Sequence, residues 1–356
     1  MRVLLINFEM DKSSPVLAWQ ARIAKELSNS CTNLHVLTEK AGDYILTSNM
    51  TVDVIPRRPY GIPKSLGGGF LVNLQLYRLL KKYPCDVCFI HMAHKWAYRL
   101  WPIFKFNRIP ILIWYAHGSV TWHLKLAALF ADKLITSTDE GLRINTPKKI
   151  VIGQAIDTDF FIPPPAREVK PEIVYVGRIS KRKRIKLLIE TLQALRNIDP
   201  QKQWKLKIAG PTLTSDDQAY LSYIKNHIRD SDLNDYVEFT GPLTQSETIK
   251  LYETASVHLN VSNTGSMDKT VMEALSCGCP VVTTNEAFQE ALEKINGAYS
   301  ASSDPLHLAE SIYNIAYSPP SISEMRQLIE SKHDIKSWIE KLNNTLSDLN
   351  ARKGAN

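Results

Sequence analysis

Apolar residues follow two alternating patterns along the chain, one typical of buried strands and the other of amphipathic helices. In the first half, short apolar runs predict strands over residues 2–8, 34–38, 52–55, 85–91, 111–115, 133–137 and 149–152. Apolar positions three and four residues apart predict helices over 16–27 and 71–82. Strands that alternate with helices favour a parallel, doubly wound sheet, which binds ligands at the carboxyl ends of its strands.

The same alternation begins again in the second half. Strands are predicted over residues 172–176, 205–209, 236–240, 257–260 and 280–283, with helical stretches between them. The run Pro163-Pro164-Pro165 interrupts the pattern and predicts a linker between the two domains. A final amphipathic stretch over 335–349 follows. The pattern therefore predicts an α/β fold of two Rossmann-like, doubly wound parallel-sheet domains (1–163 and 164–334), with a C-terminal helical segment (335–356).

Composition is that of an ordinary globular protein, with 44% apolar and 22% charged residues among 356. The five cysteines are odd in number and scattered, which suits a reducing compartment better than a disulfide framework. The apolar start over residues 3–6 is shorter than the core of a signal peptide, and no apolar run is long enough to span a membrane. We therefore expect a cytoplasmic protein.

The net charge of +7 is shared unevenly. Residues 1–165 hold 20 Lys and Arg against 12 Asp and Glu, giving +8, whereas the remainder holds 23 against 24, giving −1. A basic first half suggests an anionic partner, and the absence of nucleic-acid motifs disfavours nucleic acid. Basic and aromatic residues interleave over 78–108, which favours an anionic membrane surface at the inner face of the plasma membrane; packing of part of this segment in the core explains the same pattern equally well.

Candidate chemistry is concentrated in residues 261–282, a polar loop followed by a helix that begins near Lys269 or Thr270. Backbone N–H groups at a helix start form an anion site, and Gly265 lets a ligand approach the loop. Glu273 is one turn into this helix, where it could accept hydrogen bonds from vicinal hydroxyls. The alternative is a capping box with Thr270, in which Glu273 bonds only its own helix start.

A second candidate is the basic loop after the predicted strand 172–176. Gly177-Arg178 ends this strand, and Lys183 and Arg184 precede a predicted helix over 185–195. An exposed basic loop alone indicates only a solvated surface. An arginine fork together with a mobile lysine is nevertheless suited to neutralising a diphosphate.

Together these motifs resemble family 4 retaining glycosyltransferases (glycosyl transferases group 1), which have the GT-B fold of two Rossmann-like domains facing a cleft. The run from Glu273 to Val282 matches the second half of the family's signature, and Gly265 stands where the first Glu is usual. Arg178 and Lys183 match the family's donor-phosphate pair, with Arg184 in place of its usual Gly. In this family the C-terminal helix crosses back to the N-terminal domain.

The resemblance implies a set of site residues. Those on the donor side are Gly177, Arg178, Lys183, Gly210, Pro211, Leu243, Thr264, Gly265, Ser266, Met267, Asp268, Lys269 and Glu273. The candidate catalytic residues are His117, Arg178, Lys183 and Asp268, and the acceptor-side residues are Ser13, Ser14, His91 and His94. Ser13-Ser14 replaces the family's Gly-Gly in the first loop.

Two assignments stay open within this set. Asp268 either replaces the missing Glu as a contact to the donor sugar or caps the helix with its side chain. Cys85, Cys88, His91 and His94 have zinc-like spacing, but residues three apart in a strand face opposite sides. No metal site and no cofactor are therefore predicted.

The predicted function is a retaining glycosyltransferase that moves a hexose-type sugar from a nucleotide-diphosphate donor. A UDP-sugar is favoured and GDP-mannose is possible; the acceptor is a hydroxyl of a glycan or glycolipid in surface polysaccharide biosynthesis. The alternative is a sugar-nucleotide-binding protein of the same fold with impaired catalysis, because Gly265 lacks the carboxylate of the family's first Glu. A dehydrogenase is disfavoured, since no Gly-x-Gly-x-x-Gly follows any predicted strand.

Overall fold

A computed structural model describes residues 1–55, 68–262, 265–293, 295 and 298–353. The chain divides into two compact units, of which unit 1 comprises 1–154 with 335–356, and unit 2 comprises 155–334. The division follows Gln154, whereas the sequence placed the boundary at the Pro163–Pro165 run. Because the observed boundary precedes Pro163, the three prolines lie within unit 2.

Unit 1 is built on a seven-stranded sheet in which every pairing is parallel, in the order β3-β2-β1-β4-β5-β6-β7. Its strands are β1 Arg2–Met10, β2 Asn33–Ala41, β3 Met50–Val54, β4 Val87–His91, β5 Ile111–Trp114, β6 Lys133–Thr136 and β7 Lys149–Val151. Its helices are α1 Ala18–Asn29, α2 Gly68–Lys82, α3 Lys95–Arg99, α4 Trp101–Phe106, α5 Trp122–Phe130 and α13 Ile335–Lys353.

Unit 2 repeats this plan on a smaller sheet of five parallel strands, in the order β10-β9-β8-β11-β12. Its strands are β8 Lys170–Val176, β9 Lys205–Ala209, β10 Val237–Gly241, β11 Ala255–Asn260 and β12 Val281–Thr283. Its helices are α6 Ile185–Ile198, α7 Ser215–Asp230, α8 Gln245–Thr254, α9 Lys269–Ser276, α10 Gln289–Leu292, α11 Pro305–Tyr317 and α12 Ile322–His333. The prediction of two parallel-sheet α/β domains is confirmed.

Strand order changes direction once in each sheet, between β1 and β4 in unit 1 and between β8 and β11 in unit 2. The loops that leave two such strands diverge to opposite faces of the sheet, and the crevice between them is the usual ligand site of a doubly wound fold. The loops after β1 and β4 carry Ser13, Ser14 and His94. Those after β8 and β11 carry most of the predicted donor residues.

The C-terminal helix α13 belongs to unit 1, where it packs against α1 and β4. Its inward side chains are buried, among them Trp338, Leu342 and Leu346. The Trp338 ring lies edge-on to Trp114 of β5 at 5.1 Å, and its Nε1 donates to the Gly153 carbonyl at 3.1 Å. This amphipathic pattern was legible in the sequence because one helix face is continuously apolar.

Candidate active site

The loops after β8 and β11 meet in unit 2 through an ion pair. Lys183 Nζ lies 2.8 Å from Asp268 Oδ1. Both side chains are largely withdrawn from solvent, with exposed fractions of 20% and 15%. The structure thus brings together two residues that the sequence assigned to the donor site independently, 85 positions apart.

The second oxygen of Asp268 is engaged as well. Oδ2 accepts hydrogen bonds from Asn260 Nδ2, at 3.0 Å, and from Ser262 Oγ. Burial opposes ionisation of Asp268, but the charge and hydrogen bond of Lys183, with the bonds from Ser262 and Asn260, outweigh it and hold the pKa of the carboxyl below its usual value. Asp268 is therefore an ionised anchor that fixes Lys183.

Arg178 has a carboxylate partner of its own. Its Nε and Nη2 atoms lie 2.7 and 2.6 Å from Asp217 Oδ2. Asp217 is buried in the first turn of α7, where it also completes a capping box with Thr214. Burial raises the pKa of Asp217, but hydrogen bonds from the Leu213 N–H and from Arg178 outweigh it and leave the pKa lowered. Two of the five guanidinium N–H groups face Asp217, and 41% of the Arg178 side chain is exposed.

Glycines allow the loops after β8, β9 and β10 to lie against one another. Gly177 N donates to the Ala209 carbonyl at 2.9 Å, and Gly210 N donates to the Gly241 carbonyl at 2.8 Å. Gly210 has φ +142°, and a Cβ there would lie 2.0 Å from the Gly177 carbonyl oxygen. No side chain fits at Gly210, so the Gly-Pro pairs that look like ordinary turns in the sequence also fix the spacing of the strand ends. Pro211 continues this contact by accepting from Ile179 N at 2.9 Å.

The loop before α9 carries the remaining predicted donor residues, except Thr264, which lies outside the described residues. Gly265 has φ +68°, a conformation that a Glu would adopt only under strain, which accounts for glycine at this position. The carbonyl of Ser266 accepts from Asn285 Nδ2 at 2.9 Å, and Met267 packs partly against the core. Leu243, after β10, is likewise half-buried against the core.

Helix α9 begins at Lys269 with Asp268 at its N-cap position, but no side chain caps it. The alternative in which the Asp268 side chain caps the helix is wrong, because both carboxylate oxygens bind Lys183, Asn260 and Ser262 instead. The capping box of Thr270 and Glu273 is also wrong, since Thr270 lies inside the helix rather than at its N-cap. Glu273 is buried on this helix, with 8% of the residue exposed, and Lys269 Nζ donates to the Ala155 carbonyl at 3.3 Å.

In unit 1, the loop after β1 is held by carboxylates. Ser13 donates through both N and Oγ to Asp11 Oδ1, at 2.9 and 2.6 Å. Ser14 is buried, and its Oγ donates to Glu9 Oε2 at 2.8 Å. Glu9 is paired in turn with Lys40 Nζ at 2.6 Å. Of the two predicted acceptor-side serines, Ser13 is exposed to solvent. Ser14 is buried, and its hydroxyl helps to hold the loop against β1.

His94 lines a cavity of about 280 Å³ at the carboxyl ends of β1, β2 and β4, together with Phe8, Glu39, Ala93, Lys95, Trp96 and Arg99. Met92, two residues before it, has φ +63°, a strained conformation for a side chain of this size. His94 Nδ1 donates to the Met92 carbonyl at 3.2 Å, and burial lowers the pKa of the imidazole. The cavity thus combines a neutral imidazole with charges of both signs.

His91 does not share this position. It lies within β4, is fully buried, and packs edge-on against Trp19 at 4.3 Å and beside Phe89 at 5.6 Å. A ring enclosed in this way cannot reach an acceptor, so the predicted acceptor-side role of His91 is corrected to a core role. Its neighbour in strand pairing is Trp114 of β5, with which it shares the aromatic layer.

His117 follows β5 and is exposed. Its backbone N donates to the Gly141 carbonyl at 2.9 Å, and its Nδ1 accepts from Ser119 N at 3.2 Å. The ring is therefore oriented by its own loop, at the carboxyl edge of the unit 1 sheet where the sequence placed it.

Sequence reasoning missed the polar side chains that hold the predicted residues in place. Asp217, Asn260 and Ser262 contact Arg178 or Asp268, and none was singled out. Thr214-x-x-Asp217 was readable as a capping box, but nothing in the sequence indicated that the same carboxylate meets Arg178, 39 positions away.

Comparison with known proteins finds one family model and several proteins that are similar to parts of this chain. A profile of the family "Glycosyl transferases group 1" matches residues 170–317. The D-inositol 3-phosphate glycosyltransferase of Kineococcus radiotolerans is 26% identical over 43% of this chain and 39% of its own length. The alpha-monoglucosyldiacylglycerol synthase of Streptococcus pneumoniae is 28% identical over 46% of this chain and 35% of its own length. The chain thus spans well under half of the length of these curated relatives.

Solved structures resemble the chain over its full length. Anabaena Alr3699/HepE, crystallised with UDP and glucose, superposes with a TM-score of 0.76 at 16% identity, over 98% of this chain and 99% of that one. The sucrose-phosphate synthase of Thermosynechococcus elongatus gives a TM-score of 0.75 at 17% identity, over 99% of each chain. Of the two curated relatives described above, one is named a glycosyltransferase and the other a monoglucosyldiacylglycerol synthase. Residues 170–317 are therefore similar to the glycosyl transferases group 1 family, and the two α/β units have the fold of GT-B proteins.

Proposed function

We propose that the chain is a retaining glycosyltransferase that takes a hexose-type sugar from a UDP-sugar. The observation that carries the proposal is the Lys183–Asp268 pair at the switch point of unit 2, which joins the loop that holds Arg178 and Lys183 to the start of α9. Paired cations with spare N–H groups at the carboxyl edge of a parallel sheet suit a nucleotide diphosphate. The UDP bound in the HepE structure supports the choice of nucleotide.

In the proposed reaction, an acceptor hydroxyl attacks the anomeric carbon from the side on which the diphosphate leaves. The bond between that carbon and the phosphate oxygen breaks, the bond to the acceptor oxygen forms, and the leaving phosphate receives the hydroxyl proton. Negative charge then grows on the diphosphate. Lys183 stabilises this charge with the two ammonium hydrogens that Asp268 leaves available, and Arg178 does so with its remaining N–H groups.

The other predicted residues complete the donor site in this proposal. The amides at the start of α9 face the phosphates, and Glu273 accepts hydrogen bonds from the ribose hydroxyls. His117 contacts the donor sugar. No metal ion is assigned a role, because the two cations supply the countercharge.

On the acceptor side, we assign the cavity that contains His94 to a glycan or glycolipid hydroxyl. The name of the pneumococcal relative, a glucosyldiacylglycerol synthase, supports a glycolipid. Lys95 and Arg99 in the cavity lining would favour an acceptor with an anionic group. Surface polysaccharide biosynthesis, at the inner face of the plasma membrane, is the proposed setting.

The test begins with a thermal-shift screen of UDP-, GDP- and ADP-sugars, because a ligand of the folded state raises its unfolding temperature. The sugars that bind are then incubated with the protein alone and with candidate acceptors. We expect UDP release and a product with the donor's anomeric configuration. Binding without any transfer or hydrolysis would favour the catalytically impaired alternative, and an inverted product would exclude the retaining mechanism.

A further inference from the structure

Helices α2, α3, α4 and α5 form one layer on one face of the unit 1 sheet. The chain steps from β3 to β4, β5 and β6 in a single direction across the sheet. Right-handed crossovers in one direction place all the connecting helices on the same face. Within the layer, α2 packs against α4 and α3 packs against α5.

These four helices carry charge of one sign. Their sequences contain seven basic residues and no Asp or Glu: Arg78, Lys81, Lys82, Lys95, Arg99, Lys105 and Lys125. Several of these side chains are exposed, Lys105 and Lys125 among them. A helical surface normally mixes both signs, so a layer with basic residues alone indicates an anionic partner.

The same layer exposes large apolar side chains. Phe70 is 73% exposed, Phe106 77%, Trp122 66% and Leu129 68%. On α5, Trp122, Leu126 and Leu129 are spaced as one outward stripe, whereas Leu124, Ala127 and Ala128 face the core. We call the outer surface of α2–α5, with these basic and apolar residues, the basic helical face.

A recess of about 620 Å³ borders this face where α4 and α5 end. It is lined by Trp101, Phe104, Lys105, Arg108, Ile109, Pro110, Ile111, Phe130, Asp132 and Leu349. Aromatic rings, two cations and one carboxylate thus lie around an opening beside Phe130. The Asp132 carboxylate accepts from Ile111 N at 2.7 Å, so part of its hydrogen-bonding capacity is already used.

We propose that the basic helical face docks on an anionic lipid bilayer. Exposed rings and leucines enter the headgroup region, and the cations beside them are attracted by the surface charge of the leaflet. Neither contribution alone identifies the partner, but a bilayer accommodates both across a broad helical surface. A nucleic acid or an acidic protein would use the cations and has no general need of Phe106 or Leu129.

The experiment measures cosedimentation of the full chain with vesicles of phosphatidylcholine alone and of phosphatidylcholine with phosphatidylglycerol, at low and high salt. We expect binding to the anionic vesicles that weakens as salt rises, and little binding to the neutral ones. Two double variants separate the contributions. Phe106→Ser with Leu129→Ser leaves the charge unchanged, and Lys105→Glu with Lys125→Glu leaves the apolar residues in place. Each should reduce the partition coefficient by roughly tenfold or more.

Matched controls lie on exposed sites of unit 2. Val169→Ser with Leu306→Ser, and Lys225→Glu with Lys250→Glu, make the same changes away from the basic helical face and should leave partition unchanged. Equal unfolding temperatures exclude loss of folding. The proposal fails if no vesicle binds, if the controls weaken binding as much, or if only the charge variant matters and an oligonucleotide competes as well as vesicles do. No donor or acceptor is present, so the result is independent of the proposed transferase activity.

Discussion

At the scale of single residues, the ion pair of Lys183 and Asp268 is the contact on which the proposed donor site depends. A lysine has four rotatable bonds, and an ion pair with a carboxylate that is itself held by two neighbours restricts it to one direction. Asp268 lowers the local positive charge, however, and so weakens the attraction for a diphosphate. We infer that Asp268 lowers the affinity for the diphosphate but holds Lys183 in the orientation that the reaction needs.

Loss of Lys183 should therefore slow sugar transfer, and the neighbouring Lys181 provides a control. Lys183→Ala is expected to raise the barrier to sugar transfer by about 2–4 kcal/mol, as for the loss of one charge-stabilising group. Lys181 lies in the same turn and is exposed, so Lys181→Ala should leave kcat/KM nearly unchanged. Steady-state kinetics of both variants decide the matter. Equal effects would point to a diffuse basic loop instead of a specific contact.

Asp268→Asn tests whether the carboxylate positions Lys183 or contacts the sugar. If it positions Lys183, kcat should fall by about tenfold, or about 1.4 kcal/mol, for every donor, while affinity for free UDP is kept or improved. A direct sugar contact, which the sequence suggested, would instead change the ratio of rates between epimeric donors. Competition between UDP-glucose and UDP-galactose measures that ratio, and a large change would restore the sugar contact.

At the scale of elements, the strands could be predicted from the sequence. The ion pairs between the loops that follow these strands could not. Buried parallel strands are short and almost wholly apolar, so β1, β4, β5 and β8 stand out as runs within a few residues of their observed bounds. Helices α3 and α4 were not predicted, because each is only five or six residues long and too short to show a helical repeat of apolar positions. Contacts such as Arg178–Asp217 depend on how two loops meet across the sheet edge, which no local pattern encodes.

The start of α6 offers a test of backbone strain. Arg184 stands where the resemblance expects glycine, and it has a left-handed φ of +53°. Arg184→Gly should therefore raise the free energy of unfolding by about 0.5–1 kcal/mol, because glycine adopts this conformation without steric cost. The variant also loses the hydrogen bond from Arg184 to Ser303 Oγ at 2.8 Å. Ser303→Ala removes only that bond and is the control. A destabilised Arg184→Gly protein, beside a neutral Ser303→Ala, would contradict the strain argument.

At the scale of the whole molecule, the two units differ in what they offer partners. Unit 1 carries most of the excess positive charge and most of the exposed apolar side chains, whereas unit 2 carries Arg178 and Lys183, the carboxylate-bound cations of the proposed donor site. None of the helices over the described residues has the length and apolar content needed to cross a bilayer. The sequence could predict the charge asymmetry because it is a sum over residues. It could not predict that α2–α5 expose their basic residues on one face, since that depends on the handedness of the crossovers.

The stability of the whole molecule should depend on pH through His258 of β11. Its ring is fully buried beside Tyr252, and burial lowers the pKa of the imidazole to about 4, although the charge of Asp268 opposes this shift. Above pH 6.5 the ring is neutral in the folded and unfolded chains alike, and it has no effect. As the pH falls from 6.5 to 4, only the unfolded chain gains the proton, so the free energy of unfolding falls by about 3 kcal/mol. Asp217 and Asp268 affect stability in a separate pH range. Their pKa values are lowered in the folded chain, so the stability that they contribute is lost only as the pH falls below about 4.

Urea titrations at several pH values between 7 and 4 measure how steeply the free energy of unfolding depends on pH. His258→Gln should reduce this slope but not abolish it, because burial also lowers the pKa of His35 and of His94. His307→Gln, at an exposed position, should leave the slope unchanged. Equal slopes for the wild type and His258→Gln would show that His258 is not the group responsible.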